Sequence, residues 1–242
     1  MTLKEYLKEI ENWLKEYLAN SPCKAFVLGI SGGVDSTLVA AIATHAVGKD
    51  KLFCYALPID SNPKDVEDAL KIKEALDLNM EVIDLTETYK SYLKELKGED
   101  FSRLTKGNLK ARMRMSALYA FAQEHNALVL GTDNLDESYV GYFTKYGDGG
   151  VDLLPIANLL KREVREGVML YGLSSYLANR TPTAGFYEGQ TDELEMGVTY
   201  DELDDYLLGK EVSEKAKQRI EHLHKISEHK RNPIPKMKEF KR

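Results

Sequence analysis

Cysteine is scarce: the chain has two, Cys23 and Cys54, which form no CxxC pair and have no histidine at metal-ligand spacing. That excludes a cysteine-based metal knuckle and makes two buried thiols the expectation rather than a disulfide. Positive charge is also short. Lys and Arg total 33 against 39 Asp and Glu, a formal net charge of −6. A general binder of DNA or RNA needs the opposite balance, so no nucleic-acid partner is expected; a local basic pocket for a small phosphorylated molecule remains open. No apolar run reaches the roughly 18 residues of a membrane span, and none is expected. The N-terminus has interspersed charges and no apolar h-region, so it is not a signal peptide, and a cytoplasmic location follows as the expectation. Internal repeats and low-complexity tracts are absent.

What is present is an alternation. With 242 residues and 43% hydrophobic content, residues 1–242 suffice for one domain with a full core. Residues 1–20 carry Leu3, Tyr6, Leu7, Ile10, Trp13, Leu14, Tyr17 and Leu18 at helical spacing, which predicts an amphipathic helix packed on the body or on a partner subunit. Five apolar stretches read as strands: Ala25–Ile30, Leu52–Leu57, Met80–Leu85, Leu128–Gly131 and Val151–Ile156. Helical patterns over Leu38–Val47, Lys64–Leu76 and Asn108–His125 separate most of them. The expected fold is therefore α/β: an open, mostly parallel, five-stranded sheet with helices on both faces. Residues 172–199, rich in Gly, Thr and Pro, form the least regular stretch, a lid-like or binding loop or a disordered one. A basic tail, 227–242, with two prolines should end extended.

The first strand runs into "VLGISGGVDST", Val27–Thr37. Ligands of open α/β sheets lie at the carboxyl ends of the strands. Glycines there let backbone N–H groups converge on an anion, aided by the positive end of the next helix. Ser31 and Ser36 can donate further bonds. Asp35 would repel a phosphate unless it caps the helix or a divalent cation lies between, and Mg2+ is commonly held by one or two carboxylates plus phosphate oxygens. The loop is neither a Walker A nor a GxGxxG sequence.

SGGxDS(T) instead resembles the pyrophosphate loop of the N-type ATP pyrophosphatases, which implies a Rossmann-like, adenine nucleotide alpha hydrolase-like sheet. Further blocks are similar to NAD synthetases: "NLKARMRM", "GTDNLDESYVGYFTKYGDGGVDLLPIANLLKREVREG", "EGQTDELEMGVTYDELDDYL" and "SEHKR", together covering about Phe26 to Arg231. The resemblance implies amidation of deamido-NAD by ammonia, with ATP converting the nicotinate carboxylate to an adenylate and leaving as AMP and pyrophosphate. ATP, deamido-NAD and ammonia are then the small-molecule partners, Mg2+ the cofactor, and a homodimer the assembly. A first strand beginning at Ala25 leaves no room ahead of it for a glutaminase domain, so free ammonia is the expected nitrogen source.

The same resemblance implies residue roles. Gly29, Ile30, Ser31, Gly32, Gly33, Val34, Asp35 and Ser36 would hold the ATP phosphates, with Thr132, Lys161 and Thr183 as further ATP contacts. Asp35 and Glu137 would be the metal carboxylates; Asp133 and Asp136 are acids near the same strand end but fall outside the match. Arg112, Lys145, Asp152, His229 and Lys230 would bind deamido-NAD, with Arg112 matching rather than its neighbour Arg114. Asp148, in a glycine-rich turn, is the candidate to bind ammonium or take its proton. Two departures stand out: Val34, where relatives often carry Gln or Ile, and "TDNLDE" in place of "TDHAAE". Another adenylating transferase, such as a GMP synthetase core or a tRNA-modifying enzyme, and a non-catalytic nucleotide sensor are the competing readings.

Overall fold

The computed structural model describes residues 1–180 and 191–240. Its opening helix, α1 (Leu3–Asn20), starts at a capping box in which Thr2 and Glu5 satisfy each other's backbone N–H groups. One stripe, Leu7, Ile10, Leu14 and Leu18, is buried against α2 (Val34–Val47) and α7 (Lys161–Leu170). The helix thus packs on the body of its own chain, while Trp13 and Tyr17 remain about two-fifths exposed at 40% and 43%. Between these lie β1 (Ala25–Gly29), β2 (Leu52–Ala56), α3 (Pro63–Leu76), β3 (Met80–Val82), α4 (Thr86–Glu95), α5 (Arg103–His125), β4 (Ala127–Leu130) and α6 (Leu135–Val140). After α7 come α8 (Ser175–Ala178), α9 (Asp192–Met196), α10 (Tyr200–Leu207), α11 (Glu214–Ile226) and α12 (Glu228–Arg231).

The strands form one parallel sheet in the order β3-β2-β1-β4. Alternation along each strand divides its side chains between two cores. Phe26, Leu28, Leu52, Cys54 and Ala56 join the layer of α1, α2, α3 and α7. Val27, Tyr55 and Val129 point the other way, onto α5 residues such as Ala122 and Phe121. Helices therefore cover both faces. Both cysteines are free, and burial pushes the Cys54 thiol up to about 12, leaving it inert.

Among the described residues the sheet has four strands, not the expected five. Val151–Ile156 contributes a single parallel bridge, Leu130 to Leu153. The cause is local. The Asp152 carboxylate accepts the Val129 N–H at 2.8 Å, and the Val129 carbonyl takes both Asp152 N–H and Leu153 N–H. A side chain thus occupies a donor that a fifth strand would use, and Pro155 offers no N–H to continue a ladder. Within residues 172–199 the chain forms α8 and α9, capped by Ser174 and Thr191. Thr183 lies outside the described residues. After α12, residues 232–240 form no helix or strand.

Because β2 lies on one side of β1 and β4 on the other, the chain's direction of winding reverses at the carboxyl end of β1. That is where an open α/β sheet leaves a crevice.

Candidate active site

At this crevice a cavity of about 740 Å3 opens, lined by the ends of β1, β2 and β4 and by residues of α3, α5 and α6. Its floor is the loop after β1. Gly29, Ile30, Ser31, Gly33, Val34 and Asp35 all line it. Gly32 holds a positive φ of 82°, where a Cβ would come 2.6 Å from the Asp65 carbonyl. A glycine is required there on both counts. The loop is tied by its own hydroxyls: Gly33 N–H donates to Ser31 Oγ at 3.2 Å, and Ser36 Oγ donates to the Gly33 carbonyl at 3.0 Å. Gly33 is the N-cap of α2, and no side chain caps that first turn. Asp35 lies inside the helix and does not act as its cap. The N-terminus of α2 is thus presented bare to the cavity, as an anion site demands.

Beside it stands a charge cluster built from distant segments. Lys161, fully buried at the start of α7, donates from Nζ to Asp35 Oδ2 at 2.6 Å and to Glu137 Oε1 at 3.0 Å. Asn134 Nδ2 donates to the other Asp35 oxygen at 2.8 Å. Tyr200 donates its hydroxyl to Glu137 Oε1 at 2.9 Å and lies near Asp192 Oδ2 at 3.0 Å. Burial acts to lower Lys161, but Asp35 and Glu137 outweigh it and hold the ammonium above the usual lysine range. Burial pushes Glu137 up to about 7, with Lys161 opposing and Asp35 adding to the rise. The backbone of Lys161 is fixed as tightly: its N–H meets Asp136 Oδ2 at 2.8 Å and Asp204 Oδ1 at 3.1 Å. Burial and the neighbouring Asp204 raise Asp136 to about 8.

Two carboxylates that converge on one ammonium form a donor set suited to a hard divalent cation, with phosphate oxygens and water completing its shell. Among the described residues, no cluster of three His, Cys, Asp or Glu side chains could hold a metal. A cation between Asp35 and Glu137 would therefore need further oxygens from a ligand or water.

Thr132, Asp133, Asp148 and Lys230 also line the cavity. Asp148 is reached by solvent through the cavity yet enclosed by protein; burial raises its carboxyl, while Thr144 N–H, 3.2 Å from each oxygen, and Lys230 restrain the rise. Burial also raises Asp133 well above the ordinary range, with Asp148 adding to it. Lys230 donates to the Gly141 and Phe143 carbonyls at 2.8 and 2.7 Å.

Arg112, Lys145, Asp152 and His229 are not among the residues that line the cavity. Arg112 Nε is 3.4 Å from the Lys145 carbonyl, and Lys145 Nζ donates to the His229 carbonyl at 2.6 Å, so these three share one outer rim. Asp152 braces β4 and accepts the Tyr119 hydroxyl at 3.1 Å. Of the two neighbouring arginines it is Arg114, not Arg112, that lines the cavity, donating to the Leu57 carbonyl at 2.8 Å. Asn134, Tyr142, Asp192 and Tyr200 were missed. Asn134 lies in "TDNLDE", Tyr142 in "SYVGYF" and Asp192 and Tyr200 in "TDELEMGVTY", but the bonds that bring them together, Tyr142 to Asp192, Tyr200 to Glu137 and Asn134 to Asp35, cross 50, 63 and 99 residues of sequence.

The sequence model of the NAD synthase family matches residues 6–234. The chain belongs to the NAD synthase family. The NH(3)-dependent NAD(+) synthetase of Mesoplasma florum is 46% identical over all of both chains, and that of Alkaliphilus metalliredigens 44% over 95% of this chain and 97% of its own. Among solved structures, the NMN synthetase from Francisella tularensis superposes with a TM-score of 0.93 at 40% identity, covering 98% of this chain and 99% of that one. The NH3-dependent NAD synthetase from Campylobacter jejuni gives 0.81 at 27%, covering 99% and 100%. As a family member, the chain amidates deamido-NAD with ammonia at the expense of ATP, the last step of NAD biosynthesis. That sets aside the GMP synthetase, tRNA-modifying and sensor readings.

Proposed function

We propose that the reaction proceeds through an adenylated nicotinate carboxylate, with the triphosphate on the β1–α2 loop and the carboxylate acid against the Asp133–Asp148–Lys230 wall. A carboxylate does not react with ammonia at neutral pH because its leaving group would be oxide; joining it to AMP supplies a leaving group. The nicotinate oxygen attacks the α-phosphorus, pyrophosphate departs, and ammonia then displaces AMP. The chain needs no covalent nucleophile. It holds two substrates in line and compensates charge. The single observation carrying this reading is that the bare α2 N-terminus, Asp35 and Glu137 all face one cavity, with Lys161 bonded to both acids.

Mg2+ fits Asp35 and Glu137, and when bound it would neutralise charge on the phosphates. Lys161, already bonded to both acids, would stay near the phosphates it helps to neutralise. Asp148 would hold ammonium at the acid's carbon and accept its proton. Its raised carboxyl lies closer to neutrality than a surface aspartate, which suits a base. Incubation with ATP, Mg2+, ammonium and deamido-NAD should give NAD, AMP and pyrophosphate in equal amounts. Asp35→Asn should lower that rate about 100-fold or more. Asp148→Asn should raise the ammonium KM sharply and leave acid-dependent ATP–pyrophosphate exchange largely intact; an unchanged KM removes Asp148 from this role.

A second reading concerns the size of the acid. The Francisella protein is an NMN synthetase, and of the predicted dinucleotide residues only Lys230 lines the cavity. Nicotinate mononucleotide would fill that space without reaching the rim of Arg112, Lys145 and His229. Comparing kcat/KM for the mononucleotide with that for deamido-NAD tests whether this chain also takes the smaller acid. We also infer a homodimer, in which a second copy covers that exposed rim; sedimentation velocity tests it. No described helix is long and apolar enough to cross a membrane, which is consistent with a cytoplasmic enzyme.

A further inference from the structure

We infer that Arg180 is a phosphate ligand of this site, gripping the β- and γ-phosphates of ATP and the pyrophosphate they become. This rests on the reading of the reaction given above. Arg180 follows Asn179, the C-cap of α8, and its side chain reaches back over the phosphate loop. It lines the same cavity as Ser31 and Asp35. A Cβ on Gly32 would stand 2.8 Å from its Nη1. The glycine that gives the loop its turn thus also leaves the guanidinium room against the loop backbone.

Two acids of α3 hold the guanidinium there. Nη2 donates to Asp65 Oδ1, and Nε stands 3.0 Å from Asp68 Oδ2. Asp68 is completely buried; its Oδ1 is taken by Lys71 and by the Tyr176 hydroxyl, each at 2.8 Å, and its Oδ2 has no hydrogen bond. The Nε contact is therefore an ion pair without hydrogen-bond geometry. The arginine is neutralised but not fully engaged, so its donors can turn to a better acceptor. A fork of donors matches phosphate oxygens bidentately, which a lysine cannot do.

Charge accounting points the same way. Three cationic side chains are among the described residues that line the cavity: Arg114, Arg180 and Lys230. Arg114 is tied to Leu57 at the end of β2, and Lys230 to Gly141 and Phe143. Lys161 is fully buried, is not among the lining residues and shares its charge with Asp35 and Glu137. Only Arg180 stands at the loop itself. In the first step the nicotinate O–Pα bond forms and the bond from Pα to the bridging oxygen breaks. The electron pair stays on pyrophosphate and no proton moves. Arg180 is placed to stabilise the charge that the leaving group gains.

The test is calorimetric titration of the wild-type chain, Arg180→Ala and Asp68→Asn, with magnesium pyrophosphate and, separately, with AMP. The wild-type chain should bind both. Arg180→Ala should lose about tenfold or more of its pyrophosphate affinity and keep its AMP affinity within twofold. Asp68→Asn, which removes one competing charge and keeps the guanidinium, should bind pyrophosphate more tightly. A purely structural ion pair predicts the reverse, weaker binding of both ligands in both variants. Pyrophosphate affinity unchanged in Arg180→Ala, or lost equally with AMP affinity, overturns the assignment. So does weakened pyrophosphate binding in Asp68→Asn, which also serves should Arg180→Ala fail to fold. A wild-type chain that forms NAD while these variants hold pyrophosphate unchanged sinks this inference alone and leaves the reaction standing.

Discussion

At the scale of single residues, the site is governed by positions where one atom more or one proton less changes the outcome. Gly32 is the steric case. Alanine there would meet both the left-handed backbone penalty and the Asp65 carbonyl at 2.6 Å. Gly32→Ala should cost about 2 kcal/mol or more and lower Tm by several degrees. The ATP KM should rise with it, since the loop that must yield is the one proposed to hold the phosphates. Asp136 is the protonic case. Its folded carboxyl is raised to about 8, from an unfolded value near 3.9. The folded state therefore keeps a proton that the unfolded chain releases, so this contribution is full below about pH 4 and is lost as pH rises through about 8. Without added metal, urea melts at pH 5.5 and 8.5 should show the wild-type chain weaker at the higher pH. Asp136→Asn, which can still donate towards Asp204, should flatten that difference.

At the scale of elements, Asp152 ties β4 to the segment Val151–Ile156, which returns beside it after α6. Removing its carboxylate leaves the buried-edge Val129 N–H without an acceptor and frees the Tyr119 hydroxyl. Asp152→Ala should destabilise the fold by about 1–3 kcal/mol in denaturant. Asp152→Asn keeps an acceptor for Val129, so a change in substrate KM in that variant reports the role in substrate binding that the family blocks imply. The same side chain explains an element that could not be read in advance. Val151–Ile156 has the composition of a strand, but a backbone donor satisfied by a neighbouring side chain ends the ladder after one bridge. The four paired strands were legible because their apolar residues alternate onto two helical layers. Helix starts were less so: α2 begins at Val34, four residues before Leu38, because the glycine loop itself turns directly into the helix. The glycine turn between β1 and α2 was readable as a contiguous string, because the residues that shape it are neighbours in sequence. The Asn134, Tyr200 and Asp192 contacts were not, since nothing local in sequence encodes a bond across 63 or 99 residues.

At the scale of the molecule, the described chain has a main core around the sheet and a separate apolar cluster joining α6, α9, α10 and α11 through Val140, Met196, Leu203, Ala216 and Ile220. Tyr200 belongs to that second cluster and bonds Glu137 of the site. A small satellite core opens more readily than a sheet packed on both faces. Hydrogen exchange should therefore show α10 and α11 exchanging faster than β1 and β2, and Mg2+ with ATP should slow them although the nucleotide need not touch them. Equal protection of both regions in the free chain would contradict this.

Lys161 carries a further practical consequence. An amine reacts with acylating reagents only through its free electron pair, and this one is kept protonated and sealed from solvent by two carboxylates. Such a reagent should modify the surface lysines and spare Lys161. Any ligand that draws Asp35 and Glu137 away from it would expose a latent nucleophile, and the mass shift on that one peptide would serve as a built-in gauge of site occupancy.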